Sequence, residues 1–143
     1  MSAKTDFTHL HVHSEFSLLD GMSNLEALME ETKRLGMDSI ALTDHGALYG
    51  SVQFVQEAKK HGIKPIIGVE TYVARRGMRD KEGKADQQPF HLIALATSGT
   101  GYRNLCRVVT DAHLDGLYYK PRTDHDHLAR HAEGLIGLSG CLN

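Results

Sequence analysis

An α/β architecture is predicted by three observations. Short β-type runs alternate with amphipathic helical stretches along the whole chain, capping and turn residues fall between them, and 41% apolar with 24% charged residues is the balance of an ordinary folded domain. Strands alternating with helices imply a parallel sheet or barrel with right-handed crossovers. A length of 143 residues allows one sizeable core and gives no reason for two, so residues 1–143 are read as one domain or part of one.

The first element is a β-type run from Phe7 to Val12, followed by a polar turn ending at Asp20-Gly21. Ser23 and Glu26 form an S-x-x-E capping box, and Leu25, Leu28, Met29 and Leu35 make the apolar stripe of a helix over 24–35 that stops at Gly36. Ser39 to Leu42 reads as a second, buried strand. After Thr43-Asp44-His45-Gly46 a second helix carries Val52, Val55 and Ala58 on one face and ends at Gly62. Pro65 to Val73 is a third strand, with its proline at the start where a missing N–H is tolerated. Arg75 to Gln88 is charged and glycine-containing, hence an exposed loop. His91 to Ala96 is strand four, Gly99-Thr100-Gly101 a turn, and 102–112 helix three. A helix capped by Thr123 or Asp124 runs to His131, and Leu135 to Leu138 is strand five.

Composition excludes several classes. A formal net charge of −2 offers no bulk attraction to nucleic acid or anionic lipid. No stretch approaches the roughly 20 apolar residues of a membrane span, and Met1 to Asp6 lacks a signal-peptide core, so no membrane partner and a cytoplasmic location are expected. Two cysteines, Cys106 and Cys141, are too few for a disulfide scaffold. Cys106 is read as a buried core thiol beside Leu105 and Val109.

The chain carries ten histidines, and strand-end position sorts them. His11 and His13 close strand one, and i, i+2 spacing points both imidazoles to one side of an extended chain. The pattern His-x-His alone decides little. It gains weight because Asp20 follows the same strand, His45 ends strand two, Glu70 lies near the end of strand three, and Cys141 stands just past strand five. Imidazoles with carboxylates, and perhaps a thiolate, suit zinc, manganese or iron better than calcium or magnesium. His61, His113, His125, His127 and His131 lie in or beside polar helices and are read as structural, and His9 is left unassigned with structure favoured. Lys120-Pro121-Arg122 after Tyr118 and Tyr119 reads first as a solvated basic turn, with contact to a phosphate backbone as the rival.

Several segments resemble the polymerase and histidinol-phosphatase (PHP) family. His9-Leu-His-Val-His-Ser-Glu-Phe-Ser-Leu-Leu-Asp-Gly21 is similar to its first motif and Leu42-Thr-Asp-His-Gly46 to its second. Gly62 to Glu70 resembles the segment with a bridging glutamate, Phe90 to Leu95 one with a further histidine, and Glu133 to Cys141 a later ligand strand. The stretches Gly62–Glu70, Gly101–Leu105 and Glu133–Leu142 are closest in pattern to the branch carried by bacterial replicative polymerases.

The resemblance implies part of a distorted (β/α)7 PHP-type barrel, its C-terminal strands absent, holding a divalent metal cluster of up to three ions (Zn, Mn or Fe). His11, His13 and Glu70 would hold one ion, Glu70, His91 and Cys141 a second, and Asp20 with His45 a third. His91 enters only through the resemblance, since it begins its strand. Glu70, His11, His13 and His45 would be the catalytic set, and Asp20 replaces a histidine common in small-molecule phosphatases. The implied activity is hydrolysis of a phosphodiester at a DNA 3′ end, in a polypeptide partnered by the remainder of the polymerase and other replisome subunits. Alternatives are a structural metal-binding platform for the polymerase or its proofreading subunit, and a free-standing small-molecule phosphatase. The family pattern ends in an Asp-x-His pair that is not found by Asn143, and the chain reads as cut short.

Overall fold

A computed structural model of the chain describes residues 5–18 and 20–140. Four helices, α1 (Leu25–Arg34), α2 (Ser51–His61), α3 (Gly99–Leu114) and α4 (His125–Arg130), accompany six strands. The strands are β1 (Ser39–Leu42), β2 (Lys64–Val73), β3 (Phe90–Ala96), β4 (Leu117–Tyr118), β5 (Lys120–Thr123) and β6 (Leu135–Ser139). They form one sheet of order β4-β5-β2-β3-β6, with β1 also paired to β2. Among the described residues the sheet does not close on itself, as expected for part of a barrel.

The sheet is not wholly parallel. β1 and β5 run parallel to β2, but β3 is antiparallel to both β2 and β6. The cause lies between β2 and β3. A parallel return needs a crossover, usually helical, whereas residues 74–89 supply only a 3₁₀ turn at Lys84–Gln87, so β3 folds straight back as a hairpin. Phe7 to Val12 does run beside β1. Its pairing is limited to a bridge between His9 and Ile40, flanked by Ala41 N–H donating to His9 O at 2.9 Å and Thr43 N–H to Val12 O at 2.8 Å.

Apolar layers cover the sheet. Ile40 and Leu42 pack with Leu25, Met29, Phe54 and Ala58 of α1 and α2. Ala41, Ile93 and Leu95 form a second cluster, and Val69, Ala94 and Leu105 a third, the last placing α3 against β2 and β3. In α2 the buried stripe is Ser51, Phe54 and Ala58, while Val52 is exposed, so the expected face is turned by about one residue. Cys106 is only partly buried, because α3 packs through Gly101, Leu105, Val108 and Ala112 at helical spacing. Gly99-Thr100-Gly101 is the first turn of α3, capped by Ser98 Oγ accepting from Gly101 N–H at 3.1 Å. Asn24, not Ser23, caps α1 by accepting from the N–H groups of Glu26 and Ala27; Ser23 is instead bridged to Ser14. Asp124 caps α4.

The stretch 75–88 is stapled rather than free. Met78 and Asp86 are buried within it, and Arg76 donates to Asp86. Arg122, expected in a solvated turn, is fully buried in β5. Its guanidinium donates to the carbonyls of Gly116 (3.0 Å), Asp86 (2.9 Å), Met78 (2.9 Å) and Asp80 (2.8 Å), which satisfies a buried cation without a carboxylate.

Candidate metal centre

The run beside β1 delivers His11 and His13. Thr43 Oγ1 accepts from Val12 N–H at 2.9 Å and donates to Val12 O at 3.1 Å, which locks the intervening residue and leaves both imidazoles on one side. The following turn is braced by Asp44, buried at the end of β1, which accepts from the Ser14 N–H (2.7 Å) and hydroxyl (2.9 Å). Burial raises the Asp44 pKa, partly offset by those two bonds. Ser17 then donates to Asp20 Oδ1 at 2.7 Å and accepts from His45 N–H at 3.2 Å, tying the Asp20 loop to the end of β1. Glu70 N–H donates to Asp44 O and Gly46 N–H to Glu70 O, fixing His45 beside Glu70. Gly46 has φ +61, and a Cβ there would meet Pro121 at 2.8 Å.

His91 arrives from the opposite direction. Because β3 is antiparallel, its first residues lie level with the last residues of β2, and His91 pairs with Tyr72. The start of β3 and the end of β2 are therefore the same end of the sheet, which is why a strand-end rule for parallel sheets does not select His91.

These segments converge on Glu70, whose side chain is 2% exposed. Its Oε2 lies 2.6 Å from His11 Nε2 and 2.7 Å from His13 Nε2, and its Oε1 lies 2.6 Å from His91 Nδ1. The two Nε2 atoms are 3.1 Å apart. His13 Nδ1 lies 2.8 Å and His45 Nε2 3.0 Å from Asp20 Oδ2. The structure thus brings together His11, His13, Asp20, His45, Glu70 and His91, while Cys141 falls outside the described residues.

Burial alone would raise the Glu70 pKa, but bonds from His13 and His11, the charge of His45 and the bond from His91 outweigh it and bring the value down to about 2. The carboxylate is ionised at neutral pH. The bond to Glu70 raises the His13 pKa against desolvation, with Asp20 adding to the rise, whereas burial lowers that of His45. Asp20 is held below the ordinary value: desolvation opposes this, and bonds from Ser17 and His13 prevail.

The donor set fits divalent metal. His11 Nε2, His13 Nε2 and Glu70 Oε2 form a triangle that hydrogen atoms satisfy poorly, because a proton on each nitrogen points at the same oxygen and sets two donors 3.1 Å apart. A cation shared by the three lone pairs removes that conflict. His13, Asp20 and His45, and likewise His45, Glu70 and His91, also bring three ligand atoms within 4.8 Å of one another. His45 Nδ1 is buried without a hydrogen-bond partner among the described residues. Two carboxylates and four imidazoles are ligand types suited to a divalent metal cluster.

The sequence reading left one neighbour of the cluster unnamed. Tyr72 stacks on His45 with ring centroids 5.5 Å apart and planes 9° from parallel, and burial with the nearby carboxylates pushes its hydroxyl up to about 12. Its i, i+2 spacing from Glu70 on one strand was the available signal. His113, expected to be structural, has its Nε2 2.9 Å from the Gly46 carbonyl. His127, also read as structural, is buried between Asp111 (2.9 Å) and Thr123 (3.2 Å).

Residues 9–143 match the PHP domain family. The chain is 50% identical over 141 residues to the DNA polymerase III subunit alpha of Treponema pallidum, covering 98% of this chain. The corresponding subunit of Thermus aquaticus is 49% identical over 146 residues, covering 99%. The chain spans about 12% of the length of each of these relatives. A candidate metal-dependent phosphoesterase from Bifidobacterium adolescentis is similar in fold, with a TM-score of 0.55 at 17% identity over 78% of this chain and 35% of that one. So is an amidohydrolase from Chromobacterium violaceum solved with bound sulfate and no metal, with a TM-score of 0.54 at 19% identity over 87% of this chain and 48% of that one.

Proposed function

The chain belongs to the PHP domain family, and on that footing we propose that its carboxylate–imidazole cluster is a metal-dependent phosphoesterase centre acting on phosphodiesters, a DNA 3′ end being the substrate in a replicative polymerase. The observation that carries this is the buried, ionised Glu70 met by His11, His13 and His91 at 2.6–2.7 Å. Metals bound there would supply hydroxide near neutral pH by lowering the pKa of bound water from about 15.7 toward about 7, and would neutralise phosphoryl oxygens.

The chain's own residues prepare that chemistry. Glu70, His11 and His13 would hold one ion, Glu70, His91 and Cys141 another, and Asp20 with His45 a third. Glu70, His11, His13 and His45 are the groups we assign to catalysis. Asp20 holds the Nδ1 of His13, which orients the ring and leaves its Nε2 toward Glu70. His45, kept neutral by burial, retains a lone pair for a ligand. No side-chain nucleophile is needed.

The polypeptide is read as the amino-terminal PHP portion of a DNA polymerase III alpha subunit in the cytoplasm, partnered by the rest of the polymerase and by replisome subunits. Among the described residues no helix is long and apolar enough to cross a membrane. A structural platform is the rival reading, favoured by one fact: the cluster ties the 9–13 run, the Asp20 loop and the ends of β1, β2 and β3 to one another. The two separate in one experiment. In a polypeptide extended to the relatives' length, wild type and Glu70→Gln are loaded with Mn or Zn and assayed on single-stranded DNA 3′ ends and bis(p-nitrophenyl) phosphate. Metal-dependent turnover lost in the variant is expected. Metal uptake with no turnover in either protein would leave the platform reading standing.

A further inference from the structure

A cavity of about 260 Å³ adjoins the cluster and shares His45 with it. Its walls include Tyr72, Tyr49 on the loop after β1, and Tyr119 and Lys120 of the β4–β5 hairpin. Tyr49 and Tyr119, both lining this opening, are 63% and 73% exposed. Tyr119 is the sole non-glycine residue with positive φ among the described residues, at 60°, where the hairpin turns between the paired Tyr118 and Lys120. A bulky side chain in that conformation is strained, and such strain gathers at ligand sites.

The tip is nevertheless firmly supported. Tyr119 stands edge-on to Tyr118 at 4.9 Å, and the buried Arg122 guanidinium lies 5.3 Å from the Tyr118 ring. Lys120 Nζ sits 5.4 Å from the ring centre of Tyr72, which itself stacks on His45. One opening therefore combines two displayed aromatic faces, one cation and direct continuity with the metal-ligand cluster.

We propose, resting on the metal-centre reading above, that this cavity is the subsite for an unpaired terminal base of single-stranded DNA whose phosphate lies at the cluster. Tyr119 and Tyr49 offer stacking faces, and Lys120 a charge for the adjoining phosphate. Stacking accepts any base because every base has a π face, and it requires the base to be free of a duplex. The cavity has room for one ring system rather than a whole nucleotide. Lys120 is the one lysine or arginine among the residues lining the cavity, so binding there should depend on the base more than on ionic strength.

The test uses the whole chain loaded with Mn and two fluorescent pentamers of deoxythymidine, one complete and one lacking only its 3′-terminal base. Wild type should bind the complete pentamer about tenfold more tightly. Tyr119→Ala and Tyr49→Ala should cut that preference below about twofold, Tyr119→Phe should keep it, and a log–log salt slope near −1 or shallower is expected for a single phosphate contact. Thermal unfolding at wild-type temperature confirms that the exposed tyrosines are not needed for folding. Equal affinity for both pentamers, no binding of either, or full preference in Tyr119→Ala overturns the subsite. Hydrolysis of bis(p-nitrophenyl) phosphate without base preference overturns the subsite alone. Base preference in a protein that neither retains metal nor hydrolyses overturns the metal-centre reading and leaves the subsite supported.

Discussion

Replacing Arg122 by Met should cost the protein about 3–5 kcal/mol of stability. The substitution keeps the stem and removes a guanidinium that donates to the carbonyls of Gly116, Asp86, Met78 and Asp80 at 2.8–3.0 Å. Hydrogen bonds from a charged donor contribute roughly 1.5–3 kcal/mol each net of desolvation, so four set an upper bound of about 6–12 kcal/mol. Bonds that share one guanidinium do not add in full, and the methionine stem keeps its packing, which leaves the smaller figure. That is a fifth or more of the roughly 5–15 kcal/mol that holds a typical domain together. Urea unfolding followed by far-ultraviolet circular dichroism would read it as a midpoint lower by about 2 M at unchanged slope. Arg122→Lys should recover only part, since one ammonium cannot reach carbonyls from three separate segments. A loss below about 1 kcal/mol for Met, or wild-type stability for Lys, would refute the claim that the guanidinium is the staple of residues 74–89.

Glu70→Gln should retain the fold and lose at least tenfold in metal affinity, measured by elemental analysis after dialysis, because a neutral amide replaces the carboxylate common to two of the ligand triads. Metal uptake should also strengthen as pH rises through and beyond 6.5: Glu70 holds a proton on His13, and metal must displace it, so uptake unchanged between pH 6 and 8 would count against His13 as a ligand. Arg76 brings the Asp86 pKa down to about 2 from 3.8, with help from the Glu82 N–H, so the stabilisation from this pair is present above pH 3.8 and lost as pH falls toward 2. Asp86→Asn should therefore melt below wild type at pH 5 and close to it at pH 2. Asn24→Ala should cost about 1 kcal/mol and Ser23→Ala much less, a contrast readable by thermal melting.

The candidate site was legible in the sequence where local rules reach. His11 and His13 follow from period-two alternation, and His45 and Glu70 from their places at strand ends. His91 was not, because strand direction is absent from a hydrophobic run; the lack of a helical pattern in 75–88 was the clue that β3 returns as a hairpin. Arg122 was misread since its partners are carbonyls as far as 44 residues away, which no composition rule can locate. Ser23 and Asn24 are both good caps, and tertiary pairing of Ser23 with Ser14 decided between them. Tyr119 gave no sign of its backbone conformation.

The reversal of β3 has a kinetic side. Glu70 and His91 are 21 residues apart in the chain, whereas Glu70 and His11 are 59 apart. Closing the shorter loop loses less chain entropy, and an antiparallel hairpin forms faster than a parallel pairing that waits for its crossover. The β2–β3 hairpin is thus the natural early unit of folding, and it places a carboxylate and an imidazole together before the amino-terminal histidines arrive. The first ion to be captured by a newly made chain would meet that half-site, and the His11–His13 arm would close over it last.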